Sequence, residues 1–142
     1  MNRLEKAIEI ALDAHTGDKD KAGATYIRHP LRLMEQVDTD EERIAAVLHD
    51  VVEDSTQDLA TIESTFGTEI RDAVDALTKR DDEAYLDDFI PRCAENEIAR
   101  RVKQVDIKDN MDLTRLPEVD ESTVERQIKY HRALRYLETY EE

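Results

Sequence analysis

The stretch Ile44-Ala45-Ala46-Val47-Leu48, taken up again by Val51-Val52, is apolar over most of a helical circumference. A helix of that kind is covered on every side, so it belongs at the centre of a bundle. Strand-like alternation is nearly absent elsewhere, and apolar residues recur at spacings of three and four. Only three glycines and three prolines interrupt 142 residues. The pattern predicts an all-α fold, a compact single-domain helical bundle over residues 1–142, long enough to bury a core without disulfides or a structural metal.

The helices can be placed from their stripes and stops. Leu4, Ala7, Ile8, Ala11, Leu12 and His15 form the inner stripe of a first helix that Gly17 ends, and residues 16–26 form a polar loop. Pro30 suits the first turn of a second helix through Leu31, Leu33, Met34 and Val37. Thr39 or Asp40 caps a continuous third helix over 41–53. Shorter helices follow through Leu59 and Ile62 and, past Phe66-Gly67, through Ile70, Ala73, Val74 and Leu77. Asp81 or Asp82 caps another through Tyr85 and Phe89, which Pro91 ends or kinks. A longer helix carries Val102, Val105, Asp106 and Asn110, and the last, over 121–140, carries a stripe of Val124, Ile128, His131, Leu134 and Leu137.

Charge and composition narrow the function. A formal net charge of −15 opposes approach to DNA or RNA, so nucleic acid is excluded as the expected partner. No apolar run approaches the roughly 18–20 residues of a membrane span, and no signal-like stretch follows Met1. The lone Cys93 has no internal disulfide partner. These features predict a cytoplasmic protein with no membrane association, and they fix no oligomeric state. Lys19, Lys21, Arg28 and Arg32 cluster near His29. Composition alone reads them as a solvated basic loop, with a small phosphorylated ligand as the alternative.

His49 and Asp50 interrupt the apolar run and Glu53-Asp54 close it. Ionisable groups placed in a core lose hydration that a metal, an ion partner or hydrogen bonds must offset. Imidazole and carboxylate ligands without cysteine favour Mn²⁺, Fe²⁺ or Zn²⁺, and an incomplete protein ligand set leaves positions for water and a phosphate oxygen. Asp106 shares an inward stripe with Val102 and Asn110 and offers a second carboxylate. Glu53 lies one turn beyond His49, on the same face, where it can orient or deprotonate a water.

Six segments in order carry a family resemblance: His15-Thr16-Gly17, Tyr26-Ile27-Arg28-His29-Pro30, Val47-Leu48-His49-Asp50-Val51-Val52-Glu53-Asp54, Phe66-Gly67, Val74-Asp75-Ala76-Leu77-Thr78-Lys79 and Asp106-Ile107-Lys108-Asp109-Asn110-Met111. Together they resemble the HD superfamily of metal-dependent phosphohydrolases, in particular the RelA/SpoT-type alarmone hydrolases and their small stand-alone relatives. The resemblance implies that His29, His49, Asp50 and Asp106 ligate one divalent ion, usually Mn²⁺, and that Glu53 and Asp54 activate the attacking water. It places Lys21 in a substrate loop and Asn110 near a ribose, with Lys79, Arg80 and Tyr85 as further candidate substrate contacts. The implied reaction is release of pyrophosphate from guanosine 3′,5′-bispyrophosphate. The alternatives are another nucleotide phosphoester, such as an adenine alarmone, NADP 2′-phosphate or a deoxynucleotide, and a non-catalytic nucleotide-sensing metal module. Two departures stand out: Asp20 where the larger enzymes carry arginine, and Asp112-Leu113 where they carry Arg-Thr.

Overall fold

Helix caps divide the chain where the sequence changes character. The computed structural model describes residues 1–141, and all of its regular elements are helical apart from one isolated antiparallel bridge, Lys19 to Thr25. Helix α1 (Arg3–His15) starts at a capping box made by Asn2 and Glu5, and α3 (Asp40–Leu48) at one made by Thr39 and Glu42. Between them lies α2 (Arg28–Met34). After α4 (Val51–Asp54), Asp58 caps α5 (Leu59–Phe66). Gly67, at φ +94°, turns the chain into α6 (Thr68–Leu77), a conformation that disfavours any residue with a Cβ. A π-helical turn (Tyr85–Phe89) leads into α7 (Ile90–Ala94), Asn96 caps α8 (Glu97–Asn110), and Asp120 caps α9 (Glu121–Glu138). Among the described residues no helix is long and apolar enough to cross a membrane.

Helix α3 occupies the centre, packed against α1, α2, α6 and α8. Ile44, Val47 and Leu48 join Ala7, Ile10 and Ala11 of α1 and Ile62, Phe66, Ile70 and Val74 of α5 and α6. On its other side Ala45 and Ala46 meet Leu33, Ala73, Leu77, Val102 and Val105. Small residues on that face let α2 and α8 approach closely, and these are the helices that bring His29 and Asp106 to His49. A third cluster, Phe89, Ile90, Ile107, Ala133, Leu134 and Leu137, seats the second half of α9.

Two expected features differ. The continuous helix over 41–53 is broken at His49-Asp50, where Asp50 takes φ −105° and ψ 0°, so α3 ends at Leu48 and a new turn begins at Val51. Glu53 and Asp54 consequently close a single helical turn, Val51–Asp54, rather than the end of a long helix. The second difference is in α9. Val124 and Ile128 are about half exposed and His131 is exposed, while Thr123, Ala133, Leu134 and Leu137 are buried. The first half of α9 turns its polar face inward, because it walls a polar cavity instead of packing on the core.

Candidate metal centre and substrate cavity

Four side chains from α2, α8 and the break between α3 and α4 converge beneath that wall. His29 enters from the first turn of α2, His49 and Asp50 from the break after α3, and Asp106 from the inner face of α8. Ligand atoms of His29, His49 and Asp50 all lie within 4.8 Å of one another. Asp106 Oδ1 stands 2.9 Å from His29 Nε2 and 3.6 Å from His49 Nε2, and Asp50 Oδ2 stands 3.0 Å from His49 Nε2. Both imidazoles and Asp106 are almost fully buried.

The outer nitrogens decide which atoms face inward. His49 Nδ1 donates to the Ala46 carbonyl at 2.8 Å, and His29 Nδ1 donates to Asp109 at 2.5 Å. Each ring is thereby held with Nε2 directed at the carboxylates, the arrangement that metal-binding histidines adopt. Burial alone would lower the pKa of His29, but Asp106 and Asp109 raise it to about 9. His49 is likewise raised by Asp50 and Asp106 against its burial. Without a cation, protons on Nε2 compensate the two carboxylates; a divalent ion held by these side chains would supply that positive charge instead. Two imidazole nitrogens and two carboxylates fit such an ion on the chemistry of the donors.

Several neighbours hold this set in place. Tyr26 donates its hydroxyl to Asp50, and burial followed by that charge raises the phenol pKa far above its ordinary range. Lys103 Nζ bonds Asp106 Oδ2 at 2.8 Å, and Asn110 Nδ2 reaches Asp106 Oδ1 at 3.1 Å. The carboxyl pKa of Asp106 lies well below the usual range despite burial, because Lys103 and both imidazoles favour its ionised form. Glu53 and Asp54 are shifted the other way. Partial burial, then the charge of Asp50, pushes each carboxyl up.

Above the four lies a cavity of about 380 Å³, within the range of sites for small molecules. Lys21 lines it from the loop before α2, Asn110 from the end of α8, and Arg126, Gln127 and Tyr130 from α9. Lys21 and Lys129 both have lowered pKa values, first from burial and then from neighbouring cations: Arg126 for Lys21, and Lys21, Lys103, Arg126 and Lys79 for Lys129. Lys21 and Arg126 thus give the cavity local positive charge in a chain of net charge −15.

The sequence-derived candidates divide accordingly. His29, His49, Asp50 and Asp106 come together, and Lys21 and Asn110 line the cavity. Lys79, Arg80 and Tyr85 are not among its lining residues, and neither are Glu53 and Asp54. The Lys79 ammonium bonds the Arg80 carbonyl, Arg80 lies 3.6 Å from Asp75, and Tyr85 lies beneath the Lys129 ammonium with its hydroxyl buried. The two acidic departures shape turns. Asp20 accepts from the backbone N–H groups of Ala22 and Ala24, both at 2.9 Å, and thereby folds the loop that carries Lys21. Asp112 accepts from the Thr114 N–H and from Arg115. Tyr26, Lys103 and Asp109 were legible as neighbours three positions from His29 and Asp106, whereas Arg126 and Tyr130 carry no local signal, since a polar helix face reads as solvated.

Comparison with known proteins gives concordant matches. The family described as HD domain matches residues 7–111. The bifunctional (p)ppGpp synthase/hydrolase SpoT of Escherichia coli K12 is 33% identical over 61% of this chain and 13% of its own length. A GTP pyrophosphokinase rsh of Brucella melitensis is 39% identical over 54% of this chain and 11% of its own length. The chain thus spans about an eighth of the length of the curated relatives it matches. Among solved structures, a metazoan ortholog of SpoT that hydrolyzes ppGpp superposes with a TM-score of 0.83 at 18% identity, covering 98% of this chain and 87% of that one. At that identity the likeness establishes the fold.

Proposed function

The chain belongs to the HD domain family, and from that premise we propose that it is a metal-dependent phosphohydrolase of a small nucleotide, with guanosine 3′,5′-bispyrophosphate the first substrate to test. We take residues 1–142 as one catalytic domain, Mn²⁺ as its ion and His29, His49, Asp50 and Asp106 as the ligands. The observation that carries the reading is the convergence of two imidazole Nε2 atoms and two carboxylates, three of the four side chains lining a cavity that Lys21 and Arg126 also line. Relatives named as guanosine-3′,5′-bis(diphosphate) 3′-pyrophosphohydrolases support the choice of substrate.

A divalent ion at this position acidifies water and polarises a phosphoryl oxygen. The residues of the chain supply the rest. Glu53, with Asp54 beside it, accepts the proton of the attacking water, a role that a carboxyl of raised pKa performs better than an ordinary one. Tyr26 and Lys103 keep Asp50 and Asp106 ionised and oriented. Lys21 and Arg126 draw in the second phosphate group, and Tyr130 and Asn110, which line the same cavity, offer an aromatic ring and an amide for the nucleoside. Attack at the 3′-linked phosphorus then expels the nucleoside 5′-diphosphate and leaves pyrophosphate as the product.

The test incubates the Mn²⁺-loaded protein with guanine and adenine bispyrophosphates, NADP and deoxynucleoside triphosphates and identifies the products by ion-exchange chromatography and phosphorus NMR. Release of pyrophosphate from the guanine compound is expected. Orthophosphate from NADP alone would redirect the assignment to a 2′-phosphatase, and tight binding without turnover would make the protein a sensor.

A further inference from the structure

Asp109 is a buried carboxylate with an unusual concentration of donors. It lies on α8 just beyond Asp106, and its side chain is 5% exposed. Oδ2 stands 2.5 Å from Nδ1 of His29. Arg32, one turn after His29 on α2, grips both oxygens, Nε to Oδ1 and Nη2 to Oδ2, each at 2.9 Å. Arg115 closes the other side, with Nη2 at 3.4 Å from Oδ2 and 2.8 Å from the Asp109 carbonyl.

Two-point binding by Arg32 fixes the rotation of the carboxylate plane, which a single contact would leave free. The fixed carboxylate in turn fixes the His29 ring, since only one ring orientation presents an Nδ1–H to it. Nε2 then points at Asp106 Oδ1 and the space shared with His49 and Asp50. A structural ion pair between α2 and α8 needs only Arg32 and Asp109; it does not need the carboxylate aligned with a ligand imidazole. Arg32 and Arg115 line the cavity, yet both are engaged by carboxylates, Arg32 by Asp109 and Arg115 by Asp109 and Asp112, which separates them from Lys21 and Arg126.

We propose that Asp109 is a positioning residue of the metal centre: a carboxylate, clamped by Arg32 and Arg115, that orients His29 and presents its Nε2 to a divalent cation. The proposal rests on the metal-dependent reading above. Outer carboxylates of this kind are worth about 10–100-fold in metal affinity where they have been removed.

The experiment has a metal-free and a metal-loaded arm. In metal-free wild type with ¹⁵N-labelled histidine, long-range ¹H–¹⁵N correlation should show a proton on His29 Nδ1 that is protected from solvent exchange. An unprotonated Nδ1 would overturn the proposal without any variant. In the second arm, Mn²⁺ affinity is read from the free-ion EPR signal. Asp109→Asn should weaken it by about tenfold or more, whereas Arg32→Gln, which removes the clamp but leaves the carboxylate, should weaken it by less. Thermal melts of both metal-free variants separate positioning from stability. An Asp109→Asn affinity within twofold of wild type, or equal losses in the two variants, would overturn the role of Asp109. Failure of the wild type itself to bind Mn²⁺ would instead overturn the metal reading.

Discussion

His29 Nε2 and Asp106 Oδ1 stand 2.9 Å apart across the α2–α8 interface although 77 positions separate them in the chain. Neither residue is held there by its own helix alone. The approach depends on the small residues Ala45 and Ala46 between the two helices, and on Lys103, which occupies the other oxygen of Asp106. The approach of these two candidate ligands and the packing of the core are the same structural fact here.

That coupling makes the simplest ligand deletion ambiguous. Asp106→Ala should abolish Mn²⁺ binding and hydrolysis, but it also strands the Lys103 ammonium, whose side chain is only 13% exposed. Breaking such a buried pair from one side costs about 3–5 kcal/mol. The double variant Lys103→Met/Asp106→Leu should recover most of that stability and none of the metal binding. Urea melts and Mn²⁺ titrations of the single and double variants check this, and metal binding by the double variant would remove Asp106 from the ligand set.

Glu53 separates chemistry from ligation. Glu53→Gln should keep Mn²⁺ affinity within a few-fold and lower kcat by about 10²–10⁴, the usual contribution of a general base. Its carboxyl pKa is raised by partial burial and then by Asp50 and Asp54, so the ionised form is the disfavoured one in the fold. At pH 7 the wild-type charge therefore costs stability, and the metal-free variant should melt at a slightly higher temperature. The gain should shrink as pH falls through the raised pKa and vanish below the ordinary glutamate value, where the carboxyl is neutral in both states. In the pH–rate profile the acid limb should lie above the ordinary carboxylate range. A profile flat down to that range would assign the proton to another group.

How much of this was legible in the sequence follows from where each signal is local. The bundle, the central position of α3 and the grouping of His29, His49, Asp50 and Asp106 as candidates rest on periodicity, capping and motif order, all visible along the chain. The break at His49-Asp50 was not, because helix propensity continues through the pair and only tertiary contacts, the Ala46 carbonyl on His49 and Tyr26 on Asp50, favour the turn. The cavity wall was missed for a related reason. Arg126 and Tyr130 recruit no apolar neighbours, so a polar face turned inward cannot be told from one turned to water.

Asp20 gives a test of residue exchange against the larger relatives. Replacing it with the arginine those enzymes carry adds a cation to the cavity rim but removes an acceptor of two backbone N–H groups. The loop that presents Lys21 would lose its turn, so Asp20→Arg should raise KM for a guanine bispyrophosphate several-fold, while Asp20→Asn, which keeps the acceptor, should leave it near wild type. Steady-state kinetics on both variants decide. A lower KM for Asp20→Arg would mean that the loop tolerates the exchange and that base stacking is the missing contribution.

The inverted face of α9 predicts unequal responses along one helix. Val124 and Ile128 lie on the outer side, 50% and 49% exposed, so Val124→Ser and Ile128→Ser should each change stability by no more than about 0.5 kcal/mol. Leu134 and Leu137, 9% and 2% exposed, pack with Phe89, Ile90 and Ile107, and their truncation to alanine should cost about 2–5 kcal/mol each. Chemical denaturation of the four variants resolves the difference. Comparable losses at Ile128 and Leu134 would return α9 to the continuous apolar stripe that its spacing suggests, and would turn Arg126 and Tyr130 away from the cavity.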